Sequence, residues 1–161
     1  MSGQGSYQEQ LEGELDGSGL QFALVVARFN GDVTGPMLNS AVQTLIRHGV
    51  DEDDIEVIRV PGAWELPQVV GAIAETGTVH AILALGCVIR GDTPHFDFVA
   101  GEATRGLMDV ALATGAPVIL GLLTTEDREQ AEERADPARQ DKGGEVALAA
   151  LEMATLFRTD A

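Results

Sequence analysis

The sequence has few cysteines, few aromatic residues and few basic side chains, and two of these shortages exclude whole classes of protein. Cys87 is the only cysteine among 161 residues, so an intrachain disulfide and a zinc site built on paired cysteines are both excluded. Lys and Arg number 10 against 26 Asp and Glu, which gives a formal net charge of −16. Because such a surface repels the phosphate backbone, a nucleic-acid partner is not expected.

Long hydrophobic runs are also lacking. No apolar stretch reaches the ~20 residues that cross a membrane, and the N-terminus lacks the basic-then-apolar order of a signal peptide. We therefore expect a soluble, cytoplasmic protein with no membrane partner. A Walker A sequence, a G-x-G-x-x-G turn and a cluster of metal-binding residues are absent as well. Hydrolysis of nucleoside triphosphates and metal-assisted hydrolysis thus have no support.

What the chain does contain is an alternation of strand-like apolar runs with helical patterns. The runs lie at residues 20–27, 55–60, 79–89 and 117–123. This order predicts a three-layer α/β/α sandwich of flavodoxin-like type, with a mainly parallel central sheet of about four or five strands. Residues 1–19 are predicted to be a flexible arm or a docked edge strand, and residues 20–161 a single domain. We expect the first helix to open at Thr34 and Pro36, and Thr124 to cap the helix after the last strand.

Three predicted corners between a strand and a helix carry side chains suited to a ligand. They lie at residues 28–31, 61–67 and 91–95. The carboxyl ends of parallel strands meet at one edge of a sheet, so we expect these corners to be neighbours. Phe29 offers an aromatic face to a flat ring, and His95 can transfer protons near neutral pH.

Structural explanations compete for the same residues. The helix dipole alone explains Glu65 in a first helical turn, although its carboxylate could equally accept hydrogen bonds from ligand hydroxyls. Trp64 is by default a core or interface residue, and Cys87 a small buried hydrophobe. Arg134 either pairs locally within its acidic segment or acts as a fork for an anion.

Taken in order, the motifs of the chain resemble those of the lumazine synthase family. They are A-R-F-N at 27–30, V-P-G-A-W-E-L-P at 60–67, G-C-V-I-R-G-D-T-P-H-F-D at 86–97, G-L-L-T-T-E at 121–126, E-R-A at 133–135, K-G at 142–143 and A-L-E-M-A at 150–154. The resemblance implies a transferase of riboflavin biosynthesis that uses no cofactor. Such an enzyme condenses 5-amino-6-ribitylaminouracil with 3,4-dihydroxy-2-butanone 4-phosphate to give 6,7-dimethyl-8-ribityllumazine, phosphate and water.

The same resemblance implies roles for individual residues. His95 would be the proton donor and acceptor. The pyrimidine substrate would contact Phe29, Ala63, Trp64, Glu65, Cys87, Val88, Ile89 and Leu120. The butanone phosphate would contact Asp92, Thr93 and Arg134, with Lys142 in support nearby. Leu120 stands where many members of the family have an aromatic residue that reaches across a subunit boundary. Asp92 brings a carboxylate to the phosphate, so we expect its side chain to face away.

The resemblance also implies a homo-oligomer, a pentamer with its active sites between adjacent subunits. Some members of the family build icosahedral shells of pentamers, and riboflavin synthase is a candidate partner. The link between Arg134 and Lys142 has the length found in shell formers, but its residues 136–140 lack their glycine-containing sequence, so we expect the pentamer and leave the shell open. Two alternatives form no product: a cage protein with a decayed site, and a flavin-binding module of flavodoxin type.

Overall fold

Strands and helices alternate through residues 15–158, which are the residues that the computed structural model describes. The strands are β1 (Phe22–Ala27), β2 (Ile55–Val60), β3 (Ala81–Ile89) and β4 (Val118–Thr125). The helices are α1 (Gly31–Arg47), α2 (Leu66–Thr76), α3 (His95–Thr114), α4 (Arg128–Ala135) and α5 (Lys142–Phe157). Short 3₁₀ turns at Glu52–Asp54 and Ala63–Glu65 lead into β2 and α2.

The four strands form one parallel sheet in the order β2–β1–β3–β4. In this register Phe22 of β1 lies opposite both Ile55 and Ala81, and Ile82 lies opposite Val118. The predicted flavodoxin-like α/β fold is therefore confirmed, with four parallel strands. Since every strand runs the same way, the corners that follow them lie at one edge of the sheet.

The central strand β1 is buried on both faces, which explains its continuous apolar sequence. Phe22, Leu24 and Val26 belong to a core shared with α1, α4 and α5. The alternate residues Ala23 and Val25 belong to a second core, shared with α2 and α3. Helices thus cover both faces of the sheet, which gives the three predicted layers.

The first helix begins earlier than predicted. It starts at Gly31, because Asn30 takes a left-handed backbone conformation (φ 61°) and turns the chain directly after β1. Pro36 lies inside this helix, and the hydroxyl of Thr34 donates to the main-chain oxygen of Ala27 at 3.0 Å. The expectation that Thr34 and Pro36 open the helix is wrong, since the turn at Asn30 starts it one turn sooner.

The capping of α4 also differs from the prediction. Thr124 belongs to β4, which continues to Thr125. Asp127 is the cap, and its carboxylate accepts a hydrogen bond of 2.8 Å from the N–H of Gln130. An aspartate at this position satisfies a free N–H group and complements the helix dipole at the same time.

The predicted N-terminal arm lies largely outside the described residues, which leave out residues 1–14. In the described remainder, the N–H of Gly17 donates to the main-chain oxygen of His48 at 2.7 Å, and Leu15 packs against the core of α1 and α5. Across residues 15–158, no helix combines the length and the apolar character needed to span a membrane.

Candidate active site

A cleft of about 830 Å³ opens at the carboxyl edge of the sheet, among the corners that follow β1, β2 and β3. We call it the main cleft. Of the predicted site residues, it is lined by Phe29, Ala63, Trp64, Glu65, Cys87, Val88, Ile89, Thr93 and His95. The structure thus brings most of the predicted pyrimidine contacts to one place, together with the histidine.

The corner after β1 is held by hydrogen bonds to β3 and to the corner after β2. The side-chain amide of Asn30 donates to the main-chain oxygen of Cys87 at 2.9 Å. The N–H of Phe29 donates to the main-chain oxygen of Pro61 at 3.0 Å. The ring of Phe29 remains 70% exposed and lines the main cleft, so its face is available for stacking on a flat ligand.

The corner after β2 carries Glu65, whose carboxylate has a buried oxygen without a hydrogen-bond partner in the described part of the chain. The N–H of Glu65 donates to the main-chain oxygen of Gly62 at 3.2 Å, which closes a short 3₁₀ turn. The side-chain atom Glu65 Oε2 is buried, and within residues 15–158 it has no hydrogen-bond partner. A buried polar atom without a partner costs free energy. A ligand hydroxyl or N–H that donates to Oε2 would remove this cost.

The side chain of Cys87 lies beneath the main cleft and is buried. Burial raises the pKa of the Cys87 thiol to about 11; Arg128 opposes this rise and Asp32 adds to it. The thiol is therefore protonated at neutral pH and is a poor nucleophile. Cys87 therefore contributes to the cleft through the volume of its side chain and through its main-chain N–H and C=O groups.

His95 is the first residue of α3 and lines the main cleft, as Phe29 does. Its N–H lies 3.5 Å from the hydroxyl oxygen of Thr93, and its side chain is exposed. An imidazole at the mouth of a cleft can exchange protons with both a ligand and solvent. Phe96, Phe98 and Val99, which follow it, add apolar surface to the same cleft.

Arg128 is a lining residue that sequence reasoning missed. It reaches the main cleft from α4, where it donates to Asn30 Oδ1 at 3.2 Å and pairs with Asp32 at 2.5 Å. Nothing in its local sequence marks it, since its partners lie almost a hundred residues away. Asn30 is part of the A-R-F-N motif, and its side chain could have been singled out there.

Two predicted cations lie elsewhere in the chain. Arg134 and Lys142 line a second cleft of about 470 Å³, beside Leu122, Leu123, Thr124, Gln140 and Glu145. Arg134 donates to the main-chain oxygen of Thr124 at 3.5 Å, and Lys142 pairs with Glu145 at 3.2 Å. Within one chain, therefore, neither cation lines the cleft that holds His95.

Asp92 and Leu120 line neither of these two clefts. Asp92 is exposed, while its neighbours Gly91 and Thr93 line the main cleft. Leu120 lies near the start of β4, the outermost strand of the sheet, where it pairs with Ala84. It is 45% exposed. Leu120 is therefore several residues away from the carboxyl ends of the strands, where the corners meet.

The chain is similar to known proteins over a length that includes the residues of both clefts. A family model described as 6,7-dimethyl-8-ribityllumazine synthase matches residues 19–158. A curated protein from Nitratidesulfovibrio vulgaris (strain Miyazaki F), named 6,7-dimethyl-8-ribityllumazine synthase, is 50% identical over 142 residues, which are 88% of this chain and 91% of the relative. The family match extends from before β1 to the end of α5.

Proposed function

The chain belongs to the 6,7-dimethyl-8-ribityllumazine synthase family, and we propose that its main cleft is where the synthesis takes place. The protein is a transferase of riboflavin biosynthesis. It condenses 5-amino-6-ribitylaminouracil with 3,4-dihydroxy-2-butanone 4-phosphate, and it releases 6,7-dimethyl-8-ribityllumazine, phosphate and water.

The observation that carries the proposed site is the unpartnered oxygen of Glu65 beside an exposed aromatic ring. The pyrimidine stacks on Phe29, and Ala63 and Trp64 border it, because this part of the cleft is apolar and open. The hydroxyls of the ribityl chain donate to Glu65 Oε2, which lacks a donor within residues 15–158. Main-chain groups of residues 87–89 meet the polar edge of the ring.

His95 supplies the proton transfers. The amine of the pyrimidine attacks the ketone carbon, and a first proton moves from nitrogen to the new oxygen to give the carbinolamine. A second proton, delivered by His95, lets that hydroxyl leave as water, and loss of the remaining N–H proton gives the imine. Elimination of phosphate breaks a carbon–oxygen bond and also needs a base. A positioned histidine contributes typically ~10²–10⁴-fold to such steps. Holding the two substrates together contributes the larger share.

The phosphate binds at the corner of residues 91–95, where N–H groups at the start of α3 face an anion. Thr93 lines the main cleft there and Asp92 does not, which supports a side chain of Asp92 that faces away from the phosphate. The guanidinium of Arg134, with Lys142 in support, neutralises the charge that develops as phosphate leaves. Since neither cation lines the main cleft of its own chain, we propose that they complete the main cleft of an adjacent subunit.

A homo-oligomer follows from this division of the site, and we propose the pentamer. Large apolar side chains on α3 support it, since Phe98, Met108 and Leu112 are 67%, 59% and 76% exposed. Such a patch marks a protein–protein contact. Leu120 then covers the pyrimidine from the neighbouring subunit, with an aliphatic side chain opposite Phe29. Light scattering separates the pentamer from a shell, and co-sedimentation tests riboflavin synthase as a partner.

The cytoplasm is the proposed location, in keeping with a chain that has a single, buried cysteine. The decisive experiment mixes the two substrates with the purified protein and follows the green fluorescence of the lumazine together with phosphate release. We expect both signals to rise well above the spontaneous reaction. A rate equal to the spontaneous one would favour the cage protein or the flavin-binding module.

A further inference from the structure

The guanidinium of Arg90 makes three contacts that the proposed chemistry does not use. Its Nε lies 2.9 Å from Glu126 Oε2, and its Nη2 lies 3.4 Å from Asp97 Oδ1. The same group lies over the ring of Phe96, with its central carbon 4.4 Å from the ring centroid. Arg90 therefore joins the start of α3, through Phe96 and Asp97, to Glu126 directly after β4.

The base of this side chain is fixed by the sheet. The N–H of Arg90 donates to the main-chain oxygen of Thr125 at 2.8 Å, one residue beyond the pairing of Ile89 with Thr125. Phe96 and Asp97 lie in the first turn of α3, directly after His95. Since Glu126 follows β4, the three contacts hold the start of α3 against the ends of β3 and β4.

The segment that precedes α3 has weak contacts of its own. Residues 91–95 are exposed, and the N–H of His95 lies 3.5 Å from the oxygen of Thr93, at the limit of a hydrogen bond. The N–H of Asp97 donates to Pro94 at 3.0 Å, which closes the first turn. A separate clamp is therefore needed to fix where that turn sits relative to the sheet.

We propose that Arg90 is a positioning residue, which holds Thr93 and His95 in the geometry that the phosphorylated ketone requires. This inference rests on the proposed function. The ion pairs add little to global stability, because their side chains are between 39% and 63% exposed. Their effect is on the location of one helical turn, and a small displacement there changes the distance from His95 to the reacting atoms.

An arginine suits this position better than a lysine. Its planar group can serve two carboxylates at once while it stacks on Phe96, whereas an ammonium is a compact charge on a flexible stem. Without any cation, Asp97 and Glu126 would face each other as like charges, and their repulsion would move the start of α3 away from β4. The clamp thus depends on both the charge and the shape of Arg90.

The test compares Arg90→Ala, Arg90→Lys and the double variant Asp97→Asn with Glu126→Gln. We expect Arg90→Ala to lower kcat/KM for the butanone phosphate between about 10- and 100-fold, while the KM for the pyrimidine stays within about twofold. Arg90→Lys should recover part of the loss. The double variant keeps Arg90 but removes its charged partners, so it should show the same selective loss. Arg47→Ala, which removes an exposed arginine from the last turn of α1, is the matched control.

A second readout does not depend on catalysis. Amide hydrogen exchange of residues 91–96 should be faster in Arg90→Ala than in the wild type, and unchanged in Arg47→Ala. If the wild type forms no lumazine, the proposed function fails, but the exchange result still tests the clamp. Wild-type kinetics in the folded Arg90→Ala protein, or an equal rise of both KM values, would overturn the inference. Full activity of the double variant would overturn it as well.

Discussion

The side-chain amide of Asn30 donates a hydrogen bond of 2.9 Å to the main-chain oxygen of Cys87, and Asn30 does so from a left-handed backbone conformation. The bond ties the end of β1 to the end of β3. The same conformation starts α1 at the next residue and leaves Phe29 exposed at the main cleft. One asparagine therefore sets both a helix start and one wall of the site.

Replacement of Asn30 separates these two contributions. Asn30→Ala should lower the free energy of unfolding by about 2–4 kcal/mol, because the hydrogen bond is lost and a left-handed conformation with a Cβ costs energy. Asn30→Gly keeps the conformation at no steric cost and should lose less. Urea unfolding measures both values. Equal stability of Asn30→Ala and the wild type would contradict this account.

Glu65→Gln tests the unpartnered carboxylate oxygen. The amide keeps the shape of the side chain but weakens acceptance of hydroxyl hydrogen bonds, so the KM for 5-amino-6-ribitylaminouracil should rise roughly tenfold. The stability of the free protein should change little, because the amide also leaves one buried polar atom without a partner among residues 15–158. Glu75→Gln, at the exposed far end of α2, is the control. An unchanged KM in Glu65→Gln would argue against the ribityl contact.

The buried thiol of Cys87 predicts a loss of stability at alkaline pH. Its pKa rises from 9.0 to about 11 on burial, so the folded state holds the proton more tightly than the unfolded state. The protonated thiol makes its full contribution to the free energy of unfolding below pH 9. About 2–3 kcal/mol of this contribution is lost as the pH rises through 11. The difference in unfolding free energy between the wild type and Cys87→Ala should shrink over this range. A constant difference would be inconsistent with a buried thiol.

A close helix contact predicts the effect of a methyl group at Gly143. A Cβ there would overlap the main-chain oxygen of Met37, which is rigid, so α5 would have to move away from α1. Gly143→Ala should destabilise the protein by about 2–3 kcal/mol. Gly31→Ala places the same group in open space at the start of α1 and should change the stability by less than about 1 kcal/mol. Thermal unfolding of the two variants provides the comparison, and similar midpoints would refute it.

The sequence predicted the fold well because β1, β3 and β4 are largely apolar runs and four of the five helices have an apolar stripe, the exception being the charged α4. The run at residues 55–60 was assigned with its exact bounds, since a charged turn precedes it and a proline follows it. The corners were placed at one edge because parallel strands leave no other arrangement. These are local patterns whose consequences are fixed by general topology.

Features that depend on distant contacts were not predictable. The left-handed turn at Asn30 needs the main-chain oxygen of Cys87, and Arg128 reaches the main cleft only because α4 lies beside α1. The separation of Arg134 from His95 depends on where the segment after β4 packs. None of these relationships has a signal within a short window of sequence.

The most direct test of the two-subunit site is complementation between two inactive variants. His95→Ala disables the main cleft, and Arg134→Ala disables the second cleft. Co-expressed in equal amounts, they should form mixed oligomers in which about a quarter of the sites have both halves intact, and lumazine formation should return to about that fraction of the wild-type rate. Activity no greater than the mean of the two separate variants, in mixed oligomers of normal size, would contradict a site shared between subunits.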